Sequence, residues 1–358
     1  MRVLVGMSGG VDSSVAVAEL IEAGHEVVGV TMRLWGGESD PGCCSVSDVE
    51  DARRVAQQLG IDHVVFNFTE DFNTHVVDPY VESHRKGITP NPCIECNRHL
   101  KFDRLSERAR LLGFDAVATG HHARIITIDD GSRRLARAED RAKDQSYVLY
   151  TCDREELART IFPVGSMTKD AVRGKAAALG LRTATKPDSQ DVCFISREGG
   201  RETFLGDRIP FRKAKVVNTD GVTEGEVEAV ELVTLGQRRG LGIAGGGPKK
   251  FVVDIRRDGD EATVVVGDRE LLMTDEENVS DLVWPDAEPA ELRVGMSVMV
   301  QCSAHGETAP ATLHRSITGV QIRWCEQHIR VSPGQSVVFY DPTDTFVVGG
   351  GIVSDSRN

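Results

Sequence analysis

With 358 residues the chain is long enough for two or three domains, and 40% apolar residues suffice to build their cores, which excludes a disordered tail. A formal net charge of −13 speaks, on the total alone, against nucleic acid as a partner, because phosphate binding draws on lysine and arginine. No apolar run reaches membrane-spanning length and the chain opens on a short strand rather than a charged and apolar leader, so a cytoplasmic protein with no membrane partner is expected.

The first stretch, Met1-Arg-Val-Leu-Val-Gly-Met-Ser-Gly-Gly-Val-Asp-Ser-Ser14, predicts an apolar strand, a glycine-serine turn and a helix opening near Asp12. Gly9 and Gly10 let the backbone come close to an anion, Ser8, Ser13 and Ser14 carry hydroxyl donors, and the free amides and positive end of the helix suit a pyrophosphate. The turn has no lysine and the chain has no GxxxxGK motif followed by Ser or Thr, so it is not the loop that serves transfer of a terminal phosphate. Ser8-Gly-Gly-Val-Asp-Ser13 instead resembles the loop of the ATP pyrophosphatases. That resemblance implies cleavage of ATP to AMP and pyrophosphate while a substrate oxygen is adenylated and so becomes a leaving group for nitrogen or sulfur.

Glu26 to Leu34 reads as a buried second strand, with Met32 at its carboxyl end placed either against an adenine or in the core. Adjacent Cys43 and Cys44, in the loop before an amphipathic helix from about Val46 to Leu59, are poor co-ligands for one metal and read as structural or incidental. A strand from His63 to Phe68 and a helix from about Glu70 to Arg85 continue the alternation, which predicts a parallel sheet with helices on both faces. In Gly87 to Phe102 two prolines predict an extended loop, and Cys93 and Cys96 stand just before a helix expected to begin near Asn97, where a thiolate is favoured. Both a nucleophile and a metal ligand fit; a four-cysteine zinc site lacks its second CxxC.

Asp115 to Arg124 predicts a fourth strand closing on Gly120 beside the nucleotide, with His121 and His122 ambiguous between structure and catalysis. Arg141 to Tyr147 is a polar loop, helices are expected at about Arg154 to Arg159 and Lys169 to Leu179, and Lys186 to Ile195 sets Cys193 in a short apolar segment behind an acidic turn. Eight cysteines in such a chain point to thiols with chemistry or a metal rather than a disulfide framework, and Cys193 with Cys93 and Cys96 suggests sulfur chemistry.

Charge is uneven. Lys and Arg stand against Asp and Glu as 25 to 30 in residues 1 to 200, 11 to 9 in 201 to 258 and 6 to 16 in 259 to 358. The middle segment alone is net positive, and its arginines and lysines, among them Arg238 and Arg239, read either as a local basic face or as ordinary solvated surface.

Seven ordered motifs make the reading specific: Gly6 to Ser14, Asn91 to Asn97, Ala118 to His121, Lys143 to Tyr147, Phe162 to Gly165, Asp188 to Ile195 and Gly236 to Gly242. With them the whole chain, to Gly334–Tyr340 and Gly349–Ile352, resembles the bacterial tRNA-specific 2-thiouridylases. The resemblance implies an enzyme that replaces the C2 oxygen of a wobble uridine, in tRNAs for Lys, Glu and Gln, by sulfur after ATP-dependent adenylation, with Mg2+ beside the phosphates. By matching motifs, Gly6, Met7, Ser8, Gly9, Gly10, Val11, Asp12, Ser13, Met32 and Gly120 bind ATP; Cys193 carries the persulfide; and Cys96 is the nucleophile and disulfide partner. Asn91, Pro92 and Cys93 face the target base, and Lys143, Asp144, Gln145, Gln237 and Arg238 contact tRNA. A persulfide donor, such as a cysteine desulfurase or a sulfur-relay protein, is implied as a partner.

Two departures stand out. Some family members have an aspartate assigned acid-base duty where this chain has Cys93, which leaves that role unfilled and lets Cys93, Cys96 and Cys193 together suit a 4Fe-4S cluster with an open iron. Where many relatives have an arginine-tyrosine-arginine run in a C-terminal strand, this chain reads Gln301-Cys-Ser-Ala-His305. The expected architecture is an α/β adenylating domain with a parallel sheet, residues 1–208, then two mainly β domains: a small central tRNA-binding one, 209–271, and a C-terminal β-barrel, 272–358. An amine-transferring ATP pyrophosphatase and a non-enzymatic metal or tRNA-binding protein are the rival readings.

Overall fold

The computed structural model describes residues 1–35, 46–188, 192–195, 199–244, 247–259 and 261–354; Cys43 and Cys44, and Ser189 to Asp191 of the Cys193 motif, lie outside the described residues. Strand β1 (Arg2–Gly6) runs into helix α1 (Val11–Glu22), followed by β2 (Glu26–Arg33), α2 (Val46–Leu59) and β3 (Asp62–Asn67). With β4 (Ala116–Thr119), a hairpin of β5 (Arg124–Thr127) and β6 (Arg133–Ala136), and β7 (Thr160–Ile161), the first unit is a sheet in the order β3-β2-β1-β4-β7, all parallel. Residues of β1 alternate in burial because successive strand side chains point to opposite faces. Val3 and Val5 join the core under α1, α2 and helix Lys169–Ala178, while Leu4 joins the core on the other face.

Chain direction across the sheet reverses between β1 and β4, since β2 lies on one side of β1 and β4 on the other. A crevice opens there beyond the carboxyl ends of the strands. Gly6 to Gly10 after β1 and Gly120 to His122 after β4 are its walls.

The helix expected near Asn97 begins five residues earlier, at Pro92. Asn91 caps it, its side chain accepting the Cys93 amide at 3.1 Å, and Pro92 takes the first helical position, where its missing N–H costs nothing. Of the two prolines only Pro90 lies in extended chain. Cys93 is therefore exposed in a first turn, and Cys96 opens a π-helical stretch, Cys96–Arg104, within the run to Leu111. The expected helix before it spans 69–85, also with a π turn at Asn73–Val77.

Next comes a four-stranded sheet, β8 (Ala214–Val217), β9 (Thr223–Val227), β10 (Phe251–Asp258) and β11 (Glu261–Gly267), ordered β10-β11-β8-β9. The last unit is a closed barrel of β12 (Met273–Val283), β13 (Met296–Gln301), β14 (Thr308–Arg315), β15 (Val320–Ile329), β16 (Ser336–Tyr340) and β17 (Val347–Val353), as the alternating pattern predicted. Barrel and first unit share a core in which Tyr147, Leu149 and Leu135 meet Val338, Tyr340 and Val347. Among the described residues no helix is long and apolar enough to cross a membrane.

Candidate active site

The turn after β1 is held from inside. Gly9 has φ +70°, and a side chain there would meet the Asp48 backbone oxygen at 2.4 Å. Its glycine is therefore required by the close approach of α2 as well as by any anion. The Gly10 carbonyl accepts from Ser14 Oγ at 2.7 Å and Ser13 Oγ at 3.2 Å. Ser14, wholly buried and also accepting from Thr183 Oγ1 at 3.1 Å, spends its hydroxyl within the protein; Ser8 stays exposed at the mouth. Gly120 is needed for packing, since a Cβ there would lie 2.5 Å from the Ser13 amide nitrogen. Met32, at the end of β2, is half-buried against the second core.

Asp12, in the first turn of α1, receives two bonds from the Lys169 ammonium, one on each oxygen at 2.7 Å, and one from the His122 Nε2 at 3.1 Å. Burial raises its pKa, but the His122 and Lys169 hydrogen bonds outweigh it and the carboxyl falls below the ordinary value. Lys169 extends to Asp188 at 2.9 Å, which also takes Lys143 at 2.9 Å and Arg173 at 2.7 Å. His121 is neutral, its pKa driven well down by burial and then by Lys101 and His122. Its Nδ1–H is given to Thr119 Oγ1 at 2.7 Å, and its Nε2 accepts from Lys101 at 3.3 Å. His121 and His122 thus brace the loop.

The Asp188 junction makes a pH prediction. Burial raises the Asp188 pKa, yet the Lys169 and Lys143 hydrogen bonds more than offset this and bring it from 3.8 to about 2. A carboxyl depressed by folding contributes stability above its unfolded pKa and loses it as pH falls through the folded one. Unfolding free energies of the chain and of Asp188→Asn should therefore differ above about pH 4 and converge toward about pH 2. A difference constant with pH would assign the effect to packing.

Of the three thiols, Cys96 is buried in the core on the far face of the sheet and Cys193 packs partly buried against that same core. Phe194 anchors the Cys193 turn, with its ring 5.6 Å from Phe72, 5.5 Å from Tyr80 and 5.1 Å from Phe204. Cys93 is exposed on the capped turn. Cys96 and Cys193 thus pack on one apolar core. Among the described residues no group of three His, Cys, Asp or Glu side chains is placed to hold a metal ion.

The RNA-facing candidates divide. Lys143 is 43% exposed. Asp144 is nearly buried, receiving Arg137 at 2.8 Å, Ser146 Oγ at 2.6 Å and the Ala138 amide at 2.7 Å. Gln145 exchanges two backbone-directed bonds of 2.8 Å with His122. Gln237 is turned onto Thr234 and Arg239, at 3.1 and 2.9 Å, whereas Arg238 is exposed. Gln301, in place of the basic run, is buried and accepts from Arg137 at 2.6 Å. It is a strut.

Lys169 and Arg137 were not legible as parts of the site, and Lys186 and Asp188 stood only at the head of the Cys193 motif, because their partners lie across the fold. Residues 1–197 match the family model described as tRNA methyl transferase HUP domain, 202–268 the tRNA methyl transferase PRC-barrel domain and 274–353 the aminomethyltransferase beta-barrel domain. The tRNA-specific 2-thiouridylase MnmA of Chloroflexus aurantiacus is 45% identical over 99% of this chain and 98% of its own. Those of Mycobacterium avium, at 43% over 99% of both chains, and Mycolicibacterium vanbaalenii, at 44% over 100% of both, are similar along their whole length.

Proposed function

Because the chain belongs to the tRNA-specific 2-thiouridylase family, we propose that it is a tRNA sulfurtransferase that adenylates the C2 oxygen of a wobble uridine with ATP and replaces it by sulfur carried on Cys193. The observation that carries this is the pairing of a lysine-free phosphate loop at the sheet's switch point with two thiols, Cys96 and Cys193, on one apolar core. Sulfur insertion needs both; methyl transfer, the activity in two of the family descriptions, needs neither.

In this reading the amides at the start of α1 and the Gly6 to Ser13 turn hold the ATP phosphates with Mg2+, and Met32 and Gly120 flank the nucleoside. The oxygen of uridine attacks the α-phosphorus and pyrophosphate leaves. The terminal sulfur of a Cys193 persulfide then attacks C2, AMP departs with the oxygen, and Cys193 is joined to the base through the new sulfur. Attack by the Cys96 thiolate on the Cys193 sulfur releases 2-thiouridine and forms a Cys96–Cys193 disulfide, which an external thiol reductant reopens. The target base must leave its stack, which is easiest in a single-stranded loop. Lys143 and Arg238 are the exposed cations offered to RNA phosphates, while Asn91 and Pro92 set the turn that presents Cys93. Asp144, Gln145 and Gln237 shape these contacts from within. The sulfur is delivered by a persulfide donor such as a cysteine desulfurase or relay protein.

The test is the purified chain with Mg-ATP, an unmodified wobble-uridine tRNA and a persulfide donor. AMP and 2-thiouridine should form together, in equal amounts, and neither without ATP; ADP as product, or thiouridine without AMP, would overturn the reading.

A further inference from the structure

The turn lacks a lysine of its own, but the fold supplies one from 177 residues away: Lys186 Nζ donates to the Gly9 carbonyl at 2.9 Å. The same ammonium is held by Asp48 at 2.7 Å and Asp51 at 2.8 Å, both in α2, and Asp51 is held in turn by Arg182 at 3.1 Å. We propose that Lys186 is a positioning residue that locks the Gly9–Gly10 peptide with its carbonyl inward, so that the loop presents the Gly10 N–H, already oriented, to the pyrophosphate part of ATP.

The argument is geometric. In a planar trans peptide the N–H points opposite to the C=O, so a Gly9 carbonyl drawn toward Lys186 turns the Gly10 N–H the other way. The next peptide is held likewise, since the Gly10 carbonyl is drawn in by Ser13 Oγ, Ser14 Oγ and the Ser14 amide at 3.2, 2.7 and 3.3 Å, which turns out the Val11 N–H. Gly10 itself is extended, with φ −93° and ψ 167°, so the Gly10 and Val11 N–H groups splay around the mouth of the turn, beside the first-turn amides of α1 that have no partner in the helix. Positive φ at Gly9 is what lets the first carbonyl swing inward. The charge of Lys186 is taken up by Asp48 and Asp51, so its contribution is to orient dipoles before the ligand arrives, which is where preorganised donors gain their strength.

This rests on the nucleotide reading above, and the experiment separates the two. Affinities of ATP, pyrophosphate and AMP are measured by calorimetry for the full chain, Lys186→Met and Lys186→Arg, with melting temperature as the folding check. Lys186→Met should weaken ATP and pyrophosphate by about tenfold, the effect of one charge-assisted hydrogen bond, leave AMP within about twofold, and be largely rescued by Lys186→Arg. If Lys186→Met does not fold, the double variant Asp48→Asn with Asp51→Asn, which loosens the same ammonium, should show the same selective loss at smaller size. Equal weakening of ATP and AMP, or unchanged ATP affinity, overturns the positioning role. A parent chain that binds neither ATP nor pyrophosphate overturns the nucleotide reading itself.

Discussion

Cys193→Ser yields no detectable 2-thiouridine, a loss on the order of 10^6-fold as for other removed nucleophiles, while tRNA-dependent release of AMP continues. The two outcomes separate because the loop proposed to hold phosphate and the cysteine proposed to carry sulfur sit on different parts of the fold. The loop is built by β1, α1 and the Asp12 network, whereas Cys193 rides on a turn pinned by Phe194 to the core of the opposite face. Uridine adenylated without a sulfur donor reacts with water and returns to uridine, so AMP accumulates unproductively. Cys96→Ser behaves differently: the first sulfur reaches the base, but the RNA stays joined to Cys193 until added dithiothreitol releases it. A thiol-cleavable protein–RNA band on a denaturing gel checks this. Full thiolation by Cys193→Ser would instead remove Cys193 as the sulfur carrier, and stoichiometric iron with acid-labile sulfide in anaerobically purified protein, with activity lost on its removal, would restore the cluster reading.

What the chain disclosed in advance was what its local pattern encodes. The β-branched run of β1, its glycine turn and the amphipathic helix after it are decided within a dozen residues, and the switch point follows from the strand order they imply. The helix start at Pro92 had its own local signal, a capping Asn before a first-turn Pro, but two nearby prolines read more simply as extended chain. The β5–β6 hairpin was signalled by Asp130-Gly131 and hidden by the arginines in both strands. The cations of the site have no local signature at all. Lys169 meets Asp12 across 157 positions and Lys186 meets Gly9 across 177, and a lysine before a proline or at a helix start looks like any solvated charge. For the same reason Asp144 and Gln145, grouped with Lys143 by motif, turn out to face inward.

Arg137→Met lowers the unfolding free energy by about 3 to 5 kcal/mol, the cost of breaking a buried ion pair from one side. Arg137 is 7% exposed at its side chain and joins the first unit to the barrel: Asp144 at 2.8 Å on one side, Asp344 at 2.7 Å and Gln301 at 2.6 Å on the other, with its guanidinium carbon 3.5 Å from the centre of the Tyr340 ring. Methionine fills similar volume but strands two carboxylates, and adding Asp144→Asn should recover part of the loss, because removing both partners of a buried pair costs less than removing one. Urea unfolding followed by tryptophan fluorescence measures this, since Trp284 and Trp324 both lie in the barrel core; a loss under about 1 kcal/mol would mean the pair behaves as an exposed one. The functional consequence follows from chain continuity. Asp144 stands between Lys143, tied to Asp188, and Gln145, tied to His122 and through it to Asp12, so releasing it loosens a loop that touches the barrel, the segment leading to Cys193 and the Asp12 turn at once. Thiolation by Arg137→Met should therefore fall at temperatures where the protein is still folded.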